Sequence, residues 1–210
     1  MLPNVALAGR AESSHGAQQQ HVDLYRKIIL RRKMFALAEP GAVYVPFIGD
    51  GDIAAQVYTD RRIYGADIDA KRVATARARF KRVTIIKADC NRWPFPEVTA
   101  RFAVADFDSY SDPYASFRSF WQHAKKMNHL ILFFTDGHRQ MIKRSGNFTR
   151  PDGVHINNLP ISERRMVYNF YFPRHILPWF KEFIQPYQIV KVMNYYRRDM
   201  IYWGAAIEQT

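Results

Sequence analysis

Apolar residues along this chain alternate between short β-branched or aromatic runs and stretches with helical spacing. Runs at residues 43–45, 62–69, 82–87, 101–108 and 129–135 each predict a buried strand. Between them, residues 53–57, 70–80 and 114–126 carry helix-like patterns. Strands alternating with helices predict a mostly parallel sheet with helices on both faces. Residues 174–183 predict a further helix. Residues 187–192 and 200–206 predict two strands joined by residues 194–199, an antiparallel hairpin at the sheet's edge. The sum is a seven-stranded α/β sheet.

The ends and one internal stretch break the alternation. Residues 1–20 are rich in Ala, Gly, Ser and Gln and read as a mobile tail. Residues 21–38 predict a helix with Leu24, Ile28, Ile29 and Phe35 on one face. Residues 138–158 are polar and basic with little periodicity and read as a mobile loop. One domain over residues 21–210 is expected.

Composition narrows the function classes. The 210 residues are 48% hydrophobic, enough for one substantial core. No apolar stretch is long enough to span a bilayer. The single cysteine, Cys90, excludes an intramolecular disulfide or a multi-cysteine zinc site, so no metal is expected and a reducing, cytoplasmic setting is the simple inference. Net charge is +12. Such a balance favours polyanions, nucleic acid above all, because each neutralised phosphate releases counterions. An anionic membrane surface ranks low, since no long helix joins a basic face to a wide apolar one. Five cations lie within residues 26–33. Arg31, Arg32 and Lys33 there, with Arg139, Lys143, Arg144 and Arg150, either line a solvated face or contact phosphates.

Candidate chemistry starts at residues 42–53, where the first strand breaks at Pro46 and Gly49 and Gly51 follow. Glycine there admits a ligand close to the backbone, or merely makes a tight turn. Asp67 ends the second strand, sixteen positions after Gly51, where an acid commonly takes ribose hydroxyls. The rival role is a helix cap, which Asp69 fits better. Asp89 ends the third strand and either accepts from an adenine amine or makes a turn before Asn91. Asp106, Asp108 and Asp112 crowd the end of the fourth strand beside Tyr110 and Tyr114. Asp112 and Pro113 suit a helix start. Asp106 and Asp108 have no structural role of that kind.

Taken together, the strand, Gly-rich turn, two acids and acid-aromatic segment resemble class I S-adenosylmethionine-dependent methyltransferases, over about residues 43–207. Tyr44-Val-Pro-Phe-Ile-Gly-Asp-Gly51 with Ala66-Asp-Ile-Asp69 is similar to the first motifs of Dam-type DNA adenine methyltransferases. Val45 stands where that family has an acid, and Asp50 or Asp52 is the nearby substitute. Asp106-Phe-Asp-Ser-Tyr-Ser-Asp-Pro113 resembles a segment of tRNA guanine amine dimethyltransferases, with Ser109 in place of a proline.

The resemblance implies a Rossmann-like fold and S-adenosylmethionine as cofactor. Pro46, Phe47, Ile48, Gly49, Gly51, Asp67, Ile68, Asp89, Cys90 and Asp106 would form its site. It implies methylation of an exocyclic base amine, with adenine in DNA ahead of a base in RNA. An amine lone pair delocalised into a ring needs hydrogen-bond acceptors on its NH2 group to become nucleophilic. Asp108 would be that acceptor, Ser109 would lend its carbonyl, and Tyr110 would stack on the base or simply pack. Only about forty residues separate Asp67 from Asp108, so no recognition domain is inserted and low sequence specificity is expected.

Overall fold

The structure, a computed structural model, describes residues 11–109 and 111–210, with side chains from Asp23 onward. Residues 1–10 of the expected tail lie outside the described residues. Helix α1 spans Ala11–Phe35, starting ten residues before the apolar periodicity does. The core then follows as β1 (Ala42–Pro46), α2 (Asp52–Val57), β2 (Ile63–Asp67), α3 (Ala70–Arg79), β3 (Val83–Lys87), β4 (Phe102–Phe107), α4 (Tyr114–His123) and β5 (Lys126–Asp136).

The expected loop at residues 138–158 is instead structured. It holds α5 (His138–Arg144) and two short paired strands, β6 (Phe148–Thr149) and β7 (His155–Ile156). Helix α6 (Ile161–Tyr171) continues through a π-helical turn (Phe172–Ile176) into α7 (Leu177–Phe183). The long hairpin of β8 (Tyr187–Arg197) and β9 (Met200–Gln209) closes the chain.

Seven strands form one sheet in the order β3-β2-β1-β4-β5-β9-β8. The first five run parallel, and β9 and β8 add antiparallel pairs. The expected architecture is therefore observed. The order reverses between β1 and β4, which makes the carboxyl ends of those strands the crevice where such sheets hold ligands.

Each face of the sheet has its own core. Ile28 and Met34 of α1 join α2 and α3 residues against Val43, Val104 and Phe133 on one face. The other face is aromatic: Phe117 and Phe120 of α4 and Phe180 of α7 pack on Tyr44, Phe134 and Trp203. Tyr44 stacks on Phe120 with ring centroids 5.3 Å apart, and Phe134 stacks on Trp203 at 4.1 Å. Burying rings of this size supplies much of the apolar stabilisation. Among the described residues, no helix is long and apolar enough to cross a membrane.

Candidate functional site

The parallel strands bring Pro46, Asp67 and Phe107 to one edge of the sheet, because all three end strands that run the same way. Beyond Pro46 the chain turns sharply. Phe47 takes φ 60, a costly conformation for a bulky residue. Its N–H donates to Cys90 Sγ at 3.4 Å, and the Ile48 N–H donates to the Ala66 carbonyl at 3.0 Å. Burial pushes the Cys90 thiol up to about 11, so this sulfur acts as a tether between loops rather than as a nucleophile.

The two glycines do different jobs. At Gly49, φ is +56 and no atom lies within 4 Å of where a Cβ would be, so its backbone faces open space at the sheet's edge. At Gly51 a Cβ would come 3.0 Å from the Phe80 ring, so this glycine lets α2 and α3 pack closely.

Asp67 is buried and accepts one backbone N–H on each oxygen, from Gly49 at 3.0 Å and from Asp69 at 2.9 Å. A carboxylate has about four acceptor positions, so two remain for hydroxyl donors. Asp69 caps α3, accepting from the Lys71 and Arg72 N–H groups, and those two bonds lower its pKa. Ile68, between them, is 71% exposed, an apolar side chain standing at the edge. Asp89 takes the turn role: its Oδ1 accepts from the Asn91 N–H at 3.0 Å, and Arg92 lies 3.7 Å from its other oxygen. The carboxylate stays exposed. Val45 is buried in β1, and Asp52 pairs with Arg79, so of the nearby acids only Asp50 is both exposed and next to Gly49.

At the end of β4 the structure corrects two expectations. Asp106 and Arg31 are buried against each other, so neither stands exposed for a cofactor or a phosphate. Arg31 is fully buried and meets Asp106 in a two-pronged pair, Nε to Oδ2 at 2.6 Å and Nη2 to Oδ1 at 2.7 Å. The Tyr58 hydroxyl donates to the same Oδ2 at 2.8 Å. Burial opposes the charge on Arg31, but Asp106 and then Asp108 outweigh it and raise its pKa. Burial and the Asp106 charge push Tyr58 well up.

Asp108 lies beside this pair, with its side chain 20% exposed. Lys27 Nζ donates to its Oδ1 at 2.7 Å, the Thr135 hydroxyl donates to the same oxygen, and Arg31 Nη2 lies 3.5 Å from it. Burial works to raise the Asp108 pKa, but Lys27 and Arg31 hold it below the ordinary carboxylate value. The group is therefore ionised at neutral pH. The Ser109 side chain is buried and accepts from the Ser111 N–H at 3.3 Å. Tyr110 lies outside the described residues.

Lys27, Tyr58 and Thr135 were not singled out in the sequence. One signal was present: Leu24, Ile28, Arg31 and Phe35 share a helical stripe, and a cation inside an apolar stripe implies a buried partner.

The remaining cations divide. Arg139 is buried between the Tyr168 and Tyr196 rings, 3.9 and 4.8 Å from their centroids, and donates to the Tyr168 and Arg198 carbonyls. It ties α5 to α6 and to the β8–β9 turn, so it too is corrected as a phosphate contact. Lys143 pairs with Asp199 at 3.2 Å, and Arg150 pairs with Asp152 at 2.6 Å. Arg32, Lys33 and Arg144 are exposed.

No family model matches the chain, and no curated protein does. Solved structures match its fold. Magnesium protoporphyrin IX methyltransferase (ChlM) from Synechocystis PCC 6803 with bound SAM gives a TM-score of 0.52 at 10% identity, over 99% of this chain and 87% of that one. The cyclase SpnF gives 0.52 at 16%, over 88% and 80%. TrmN from Thermus thermophilus gives 0.51 at 15%, over 87% of this chain and 49% of TrmN. The chain thus has the Rossmann-like methyltransferase fold, a scaffold whose chemistry must be argued from its site.

Proposed function

We propose that this chain is an S-adenosylmethionine-dependent methyltransferase acting on an exocyclic base amine of nucleic acid, with adenine in DNA ahead of guanine or adenine in RNA. One observation carries the reading. The open cradle at Gly49, with Asp67 and Ile68 beside it, shares a sheet edge with an ionised Asp108.

The residues suit the cofactor. Asp67 has acceptor positions left for ribose hydroxyls, exposed Ile68 offers an apolar surface to adenine, and Gly49 admits the ligand against its backbone. When bound, the cofactor supplies an electrophilic methyl on a sulfonium. Asp108 then accepts a hydrogen bond from the substrate NH2 group, which frees the nitrogen lone pair for attack. Its three contacts among the described residues fall on Oδ1, so we assign the amine to Oδ2. Transfer would break the methyl–sulfur bond and leave the sulfur as a neutral thioether, and the nitrogen's surplus proton would pass to solvent, since Lys27 and Arg31 hold the Asp108 pKa down and disfavour its keeping the proton. Ser109 lends its carbonyl, and Tyr110, outside the described residues, is the stacking partner that the sequence leads one to expect. Between β2 and β4 lie only α3 and β3, which fits low sequence specificity.

A second reading, a binding module without turnover, draws on the Lys27 contact that already occupies Asp108. Incubation with methyl-labelled cofactor and either DNA or RNA, followed by nucleoside analysis, decides. Label in a methylated base amine supports the enzyme. Nucleic-acid binding without any transfer supports the module and overturns the enzyme.

A further inference from the structure

Helix α4 buries Tyr114, Phe117 and Phe120, yet its flank at Ala115, Arg118, Ser119, Gln122 and His123 faces a groove of about 640 Å³. These positions follow i, i+3, i+4, i+7, i+8 spacing, so they form one continuous helical stripe. Arg92 and Trp93, from the connection between β3 and β4, make the opposite wall. That connection begins at the Asp89–Cys90 turn, and α4 begins just after the Asp108 loop. The groove therefore opens from the same edge as the candidate site and runs along α4, about 15 Å at 1.5 Å per residue.

Its chemistry is one-sided. Two arginines and a histidine line it, and no carboxylate does among the described lining residues. Arg92 is 88% exposed. Arg118 donates Nη1 to the Pro151 carbonyl, which fixes its guanidinium and leaves its other N–H groups to a ligand. The Trp93 ring is held by Tyr44 and Phe102, at 5.2 and 5.8 Å between centroids, and is only half-buried. Rigid aromatic surface beside cations is how proteins grip single-stranded nucleic acid, rings taking bases and cations taking phosphates.

We propose that this groove holds the single strand leading away from the methylated base, with Arg92 and Arg118 on phosphodiesters and Trp93 against a base. The inference rests on the nucleic-acid reading above. The probe is a fluorescein-labelled single-stranded oligonucleotide, followed by anisotropy at two salt concentrations. Arg92→Glu with Gln122→Glu puts two carboxylates into the groove at exposed positions. It should weaken binding about tenfold and lower the salt slope by about 1. Melting temperature should move only slightly, since the Arg92–Asp89 pair that the variant breaks is exposed. Lys81→Glu, exposed and away from the groove, is the charge control.

Equal weakening by the control, or none by the groove variant, overturns the groove while wild-type methylation keeps the functional reading. Displacement by polyglutamate as readily as by unlabelled oligonucleotide also overturns it, in favour of an acidic-protein surface. A wild type that neither binds nor methylates nucleic acid overturns both.

Discussion

Arg31 of α1 and Asp106 of β4 meet as a two-pronged ion pair with both side chains 1% exposed. The pair ties the N-terminal helix to the strand that ends at the candidate catalytic acid. Breaking a buried pair leaves one uncompensated charge and costs about 3–5 kcal/mol, whereas replacing the whole cluster by apolar groups is often neutral. Arg31→Met should therefore lower the urea midpoint strongly. Arg31→Met with Asp106→Leu and Tyr58→Phe should recover most of the loss, because no donor is then left without an acceptor. A triple variant less stable than the single one refutes this.

Asp108 differs from Asp106 in being partly exposed and in having its contacts on one oxygen. Asp108→Asn keeps the shape but loses the charge that draws on the substrate amine. Turnover should fall roughly 10²–10³-fold with cofactor affinity unchanged. Single-turnover transfer measured beside cofactor titration separates the two effects. A drop in cofactor affinity as large as the drop in turnover would place Asp108 in the cofactor site instead.

Gly49 is left-handed and faces open space, so two substitutions there read out different things. Gly49→Ala should cost stability by about 1 kcal/mol, from the backbone conformation alone. Gly49→Val adds methyls that point into that space and should abolish cofactor binding while unfolding at a similar temperature to other destabilised variants. Calorimetric titration with S-adenosylmethionine checks it, and a Val variant that binds as the Ala variant does would show that the cofactor lies elsewhere.

Elements with strict apolar periodicity were legible from sequence, as were the Asp69 cap and the closing hairpin. Asp112 also shows the expected helix-start role, accepting from the Tyr114 N–H at 2.8 Å. What escaped has physical causes. Arg31 reads as one more cation in a basic run until Asp106, 75 positions away, supplies its partner. Helix α6 lacks a clean apolar face, with Ile161, Met166 and Phe170 exposed, and Pro173 masks its continuation into α7. Residues 138–144 look like a polar loop because Ile142 is the single aliphatic residue among the three that α5 buries; the other two, His138 and Arg139, are held through rings and a carboxylate.

His138 offers a pH signature separate from catalysis. Its Nδ1 lies 3.0 Å from Asp136 Oδ1, at the end of β5. Tyr114 of α4 stacks on the ring and Tyr171 of α6 lies 6.1 Å from it, while Asp112 acts from the loop before α4. Burial opposes the imidazolium, but Asp136 outweighs it, so the folded pKa lies above the ordinary imidazole value. Burial pushes both tyrosines well up, so they stay neutral throughout. The folded protein thus binds this proton more tightly than the unfolded chain does. The resulting stability is complete below the ordinary imidazole range and is lost as pH rises through the higher folded value. Urea midpoints from about pH 5.5 to about pH 8.5, bracketing that range, should fall for wild type relative to His138→Gln. Parallel curves would mean that folding leaves the imidazole pKa unshifted, and a wild-type midpoint that rises relative to His138→Gln would mean that the ring is neutral in the folded state, with Asp136 held only by Tyr114 and the His138 backbone N–H.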